Sequence, residues 1–87
     1  MKVKRELHRE VVNNQITEEI LKERIEQINK SQNKYRYELT IEENKILEYG
    51  LNIKERLGET IVATRGFFDK IELLSHLKGM EEMLKFI

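Results

Sequence analysis

Residues 40–66 read TIEENKILEYGLNIKERLGETIVATRG, and the way this stretch folds decides the architecture. Thr40-Ile41-Glu42-Glu43 has the form of a capping box, with Thr40 as helix cap and Glu43 three residues on. Ile46, Gly50, Ile53, Leu57 and Ile61 follow at intervals of three and four, and Leu47 and Leu51 widen the stripe. Gly66, placed after Arg65, suits the residue beyond a helix C-terminus. This spacing predicts a helix over residues 40–65, with the β-branched run Thr60-Ile61-Val62 as its weakest turn.

Working outward, residues 32–39 read as a linker, polar at first and then alternating aromatic with charged side chains. Before it, residues 3–31 form a helical region. Val3, Leu7 and Val11 recur every four residues, and Leu21, Ile25 and Ile28 resume an apolar face. Asn13-Asn14 leaves two readings open: a break with Thr17 capping a second start, or one continuous helix whose seam carries Leu7, Asn14, Leu21 and Ile28. After Gly66, Asp69 is an N-cap, Glu72 its reciprocal partner, and Phe68 with Leu73 a hydrophobic staple. Leu73, Leu77, Met80, Leu84 and Ile87 then trace a helix over residues 69–86. The expectation is a single all-α domain spanning residues 1–87. It is a small bundle or hairpin of about three helices with a long first helix, completed by oligomerisation.

Composition narrows the function. The chain has 87 residues, 16 basic and 16 acidic side chains and zero net charge, so no strong field selects nucleic acid or a membrane surface. The charge is unevenly placed: residues 1–36 hold nine Lys/Arg against six Glu, and residues 37–60 hold three against six. Without cysteine there is no disulfide and no thiol chemistry, which fits a reducing cytoplasm. No apolar run is long enough to span a bilayer, and no signal-peptide pattern opens the chain, so a cytoplasmic protein without a membrane partner is expected.

The string Leu39-Thr40-Ile41-Glu42-Glu43, followed by Ile46-Leu47, resembles the start of the DNA-binding domain in LuxR-type regulators and sigma-factor region four. Gly50-Leu51-Asn52-Ile53-Lys54-Glu55-Arg56-Leu57-Gly58 is similar to the turn that follows there. The spacing departs from that family: about three residues are missing between Gly-Leu and Arg-Leu-Gly, and Glu59 alone precedes Thr60-Ile61. A deletion of that size rotates a reading helix away from the groove, so no family residue is carried over.

Catalysis lacks a constellation. His8 and His76 are the two histidines, Asp69 is the one aspartate, and no glycine-rich phosphate loop is present. Glu72 and His76 lie four apart on the third helix and would supply half of a metal site at most. Neither a catalytic residue, a metal nor a cofactor is expected. The leading reading is a non-catalytic interaction protein that binds or sequesters another macromolecule, in composition resembling phage or mobile-element accessory and inhibitor proteins. Its contacts, with a second copy of itself or with another protein, are assigned to Ile16, Ile20, Met83, Phe86 and Ile87. The alternative is a nucleic-acid or nucleotide binder using Lys30, Lys34, Tyr35, Arg36 and Tyr37, where cationic and aromatic side chains interleave.

Overall fold

The computed structural model describes residues 4–86, with side chains described from Arg9 onward. It is an α+β fold, not an all-α bundle. Its elements are α1 (Lys4–Gln15), α2 (Glu18–Ser31), β1 (Tyr35–Ile41), β2 (Tyr49–Glu55), β3 (Ile61–Phe67) and α3 (Lys70–Leu84). The expected linker at 32–39 and helix at 40–65 are replaced by a three-stranded antiparallel meander in the order β1-β2-β3.

The physical reason is a competing period. Tyr35, Tyr37, Leu39 and Ile41 alternate with Arg36, Glu38 and Thr40, and a strand turns such alternation into two distinct faces. In a helix the stripe Ile46-Gly50-Ile53-Leu57-Ile61 would be buried. In the sheet Ile46 is 83% and Leu57 95% exposed, because both lie in the connections between strands. Their places in the core are taken by Leu51 and Phe67, both essentially buried. Thr40-Ile41-Glu42-Glu43, read as a helix cap, ends β1 and enters its turn instead, with Glu42 N donating to Glu48 O at 2.8 Å. Asn44 takes the left-handed conformation in that turn (φ 68°), which its short polar side chain tolerates. The likeness to the LuxR-type helix-turn-helix therefore ends at the level of residues: its segment is strand, turn and strand.

Register fixes which side chains share a face. Tyr37, Ile53 and Ala63 align across the three strands, as do Leu39, Leu51 and Arg65, and Ile41, Tyr49 and Phe67. This face meets the helices, and Leu51 and Phe67 join Ile16, Leu21, Ile25 and Ile28 with Leu73 and Leu77 of α3 in one core. The opposite face carries Arg36, Glu38, Thr40, Asn52, Lys54 and Thr64, and contributes nothing to that core. Gly50 lies opposite Gly66 across β2 and β3, and there Leu47 folds back so closely that a Cβ on Gly66 would stand 2.9 Å from its Cδ1.

The N-terminal region breaks at Ile16, so the single long helix is replaced by two. Thr17 Oγ1 accepts from Ile20 N at 3.3 Å and caps α2, while Glu18 and Glu19 occupy the dipole-favoured first turn. Asn13 does not break a helix; its side chain serves the next one. Asn13 Oδ1 accepts the Lys70 N–H at 2.8 Å, satisfying one of the donors left open at the start of α3. Beside it the Arg9 guanidinium bonds both oxygens of Asp69, at 2.8 and 3.1 Å, so α1 is fastened to the N-terminus of α3. Asp69 caps α3 as its sequence implies, accepting from Glu72 N at 2.9 Å. Val3 of the first apolar stripe lies outside the described residues.

Two truncations separate core from surface. Leu51→Ala, in the central strand, is expected to cost about 2–5 kcal/mol. Phe86→Ala, at an 89% exposed position, is expected to change stability by less than about 0.5 kcal/mol. Urea denaturation of the three proteins followed by circular dichroism checks both values.

Candidate functional site

The two outer edges of the sheet differ, and the difference begins in the last turn of α2. Asn29 and Gln32 turn their amides onto the free edge of β1. Asn29 Nδ2 donates to Tyr37 O at 3.0 Å, and Asn29 Oδ1 accepts from Tyr37 N at 2.8 Å. Gln32 repeats the arrangement one pleat along: Nε2 donates to Tyr35 O at 2.6 Å, and Oε1 accepts from Tyr35 N and Lys34 N, each at 2.9 Å. An amide side chain carries one donor group and one acceptor, as a peptide does, so the pair imitates a fourth strand. The outward main-chain groups of Tyr35 and Tyr37, in the first half of β1, are therefore satisfied internally, while those of Leu39 and Ile41 further along receive nothing from these two amides.

The edge of β3 has no such cover among the described residues. Hydrogen bonding alternates along an antiparallel ladder. Because Tyr35 and Tyr37 face outward from β1, their partners Glu55 and Ile53 direct their main-chain groups toward β3. Glu55 N accordingly donates to Thr60 O at 3.1 Å. Ala63, Arg65 and Phe67 therefore bond inward to β2, leaving the N–H and C=O groups of Thr64 and Gly66 aimed outward. The side chains along this edge are exposed, Ile61 at 51% and Val62 at 48%, and Phe68 just beyond it at 61%. A register shift between Ile53 and Lys54 places a bulge at the Ile61–Ala63 step.

The uncovered face is charged yet internally paired. The Lys54 ammonium lies 2.9 Å from Glu38 and 3.1 Å from Glu59, and Arg36 bonds both Glu59 (3.1 Å) and the Gly58 carbonyl (2.8 Å). The hydrogen bonds that Lys54 donates to Glu38 and Glu59 raise its pKa, and the bond from Arg36 followed by that from Lys54 lowers that of Glu59. Thr64 Oγ1 donates to Asn52 Oδ1 at 3.0 Å on the same face.

The residues assigned to nucleic-acid binding are separated by the strand. Tyr35 and Tyr37 point toward the helix side, where burial raises the Tyr37 pKa, while Arg36 points the opposite way into its pairing with Glu59. Lys34 stands 5.4 Å over the Tyr35 ring, and Lys30 is 3.4 Å from Glu26.

The residues assigned to partner contact are also scattered. Ile16 is a core residue at 8% exposure, which corrects its placement on a free apolar face. The reason is the break before α2, which turns Ile16 inward. Ile20 is 37% exposed, beside a recess of about 600 Å³ between α2 and α3 that the Arg24–Glu81 ion pair (2.8 Å) crosses. Met83 and Phe86 are exposed at the end of α3, and Ile87 lies outside the described residues. The edge of β3 was missed because Thr60-Ile61-Val62, whose β-branching favours strand, was absorbed into a helix.

Among the described residues no three His, Cys, Asp or Glu side chains converge to hold a metal ion. Glu72 accepts from Phe68 N at 3.1 Å, and His76 packs against the Phe67 ring with centroids 5.2 Å apart. Both side chains thus serve the start and the packing of α3. Among the described residues, no helix is long and apolar enough to cross a membrane. No family model matches the chain, and no curated protein or solved structure matches it either.

Burial, and then the charge of Arg65, lower the His76 pKa below its ordinary 6.5. The unfolded chain therefore binds this proton more readily than the folded one. Stability is complete above about pH 6.5 and falls as acid carries the solution down toward the lowered folded pKa. His76→Asn is expected to flatten this part of a stability profile measured by urea titration between pH 8 and 5. An unchanged slope in the variant would contradict the assignment.

Proposed function

We propose that this protein is a small non-catalytic interaction module that binds another polypeptide by strand addition at β3. The observation that supports this reading is the inequality of the edges: Asn29 and Gln32 occupy the outward groups of β1 at Tyr35 and Tyr37, whereas on β3 Thr64 and Gly66 present theirs unoccupied between exposed apolar side chains. Strand addition draws affinity from main-chain bonds and specificity from side chains on alternating faces. Here those faces differ: Arg65 lies on the helix side and Thr64 on the uncovered side. A reducing cytoplasm is the proposed setting, in keeping with a chain that has no cysteine.

Thr64→Pro tests the reading. The substitution deletes an outward N–H and places a ring where a partner strand would lie, and the ladder to β2 loses no bond. Immobilised wild-type protein and Thr64→Pro, matched for circular dichroism, are exposed to extract from the source cells. Proteins held by wild type and lost from Thr64→Pro are the expected result. Retention on Thr64→Pro together with loss on Phe86→Asp would move the contact to the end of α3 and overturn the proposal.

A further inference from the structure

We infer that the strand taken up by β3 is the β3 of a second copy, so that two three-stranded sheets join into one of six strands. This inference rests on the strand-addition reading and names its occupant.

Self-pairing must be antiparallel about a two-fold axis, because each copy presents the same edge. The outward main-chain groups must also meet each other. A dyad at Thr64 meets both conditions at its centre: Thr64 pairs with Thr64 of the second copy, and Gly66 lies opposite Val62, which the bulge leaves without a partner in β2. In this register Arg65 lies opposite Ala63 of the second copy. A dyad at Arg65 would place two guanidinium groups face to face, and like charges directly opposite are destabilising. The Thr64 register therefore has an electrostatic preference built into the sequence.

Side chains reinforce it. Leu47 of each copy covers its own Gly66 and is 45% exposed, and the pairing lays the 48% exposed Val62 of the other copy beside it. The ends of the strand are complementary as well. Phe68 follows β3 at one end, and Leu57 occupies the β2–β3 turn at the other. An antiparallel pairing brings the Phe68 end of each copy to the Leu57 end of the other, and these side chains are 61% and 95% exposed in the single chain. With 16 basic and 16 acidic residues, two copies carry no net repulsion. The contact consists of one short strand and its flanks, so the dimer is concentration-dependent.

Sedimentation equilibrium across a 100-fold range of protein concentration tests this. Wild type is expected to rise from the 10.5 kDa chain mass toward twice that value. Thr64→Pro is expected to stay at the single-chain mass with its circular dichroism unchanged. Thr64→Cys provides a second route should the proline variant not fold, since the chain has no other cysteine. A short bismaleimide is expected to link two Thr64→Cys chains, and not two Lys78→Cys chains carrying their cysteine on α3. A wild-type mass that stays at one chain throughout, or failure of Thr64→Cys to cross-link preferentially, overturns the dimer. Protection of the Thr64 and Gly66 amides by a heterologous polypeptide would, in that case, leave strand addition standing. A dimer that persists in folded Thr64→Pro overturns the role of this edge altogether.

Discussion

Asn29 carries two of the bonds on which the arrangement of this molecule depends. Its amide meets both main-chain groups of Tyr37, and through them the last turn of α2 is held against the outer edge of β1. That docking places Leu21, Ile25 and Ile28 over the sheet, where they close the core with Leu51 and Phe67. Without it α2 would still be amphipathic, but its angle to the strands would rest on apolar packing alone, which is not directional. Gln32 extends the same solution to Tyr35 and turns the helix end into a substitute strand. A small sheet must deal with two edges, and among the described residues amide side chains cover part of one of them, at Tyr35 and Tyr37.

The remaining contacts follow from this asymmetry. On the sealed side α2 is joined to α3 by Arg24 and Glu81, and α1 is fastened to the start of α3 by Arg9, Asp69 and Asn13. On the other side β3 touches the body through β2 and the inward-facing Phe67, while Ile61 and Val62 stay half exposed. The charged network of Arg36, Glu38, Lys54 and Glu59 joins β1, β2 and the β2–β3 turn on the uncovered face and neutralises itself. Arg36 and Lys54, already paired with neighbouring carboxylates, have little to offer a phosphate backbone.

The helices that pack by their own period were legible in the sequence. Leu21, Ile25 and Ile28 announced the buried face of α2, and Asp69 with Glu72 announced the start of α3. The sheet was not, because its apolar residues happen to satisfy two periods. Ile46, Ile53, Leu57 and Ile61 fall at helical spacing, yet Ile46 and Leu57 belong to turns and only Ile53 lies on the covered face. Alternation over Tyr35–Ile41 is visible in the sequence, but following the polar residues 32–34 it has the look of a linker, and it interleaves the basic and aromatic side chains that the strand places on opposite faces. Nothing local in Asn29 or Gln32 signals that they seal an edge. Their role exists only once β1 lies beside them.

The central claim is that amide side chains close β1 at Tyr35 and Tyr37, whereas β3 is open at Thr64 and Gly66. Residue-resolved amide hydrogen exchange at a concentration low enough to keep the chain monomeric tests it most directly. The account predicts protection at Tyr35 and Tyr37, release of Tyr37 in Asn29→Ala, and rapid exchange at Thr64 and Gly66 throughout. Rapid exchange at Tyr37 in the wild type, or equal protection of Tyr37 and Thr64 in the monomer, would contradict it.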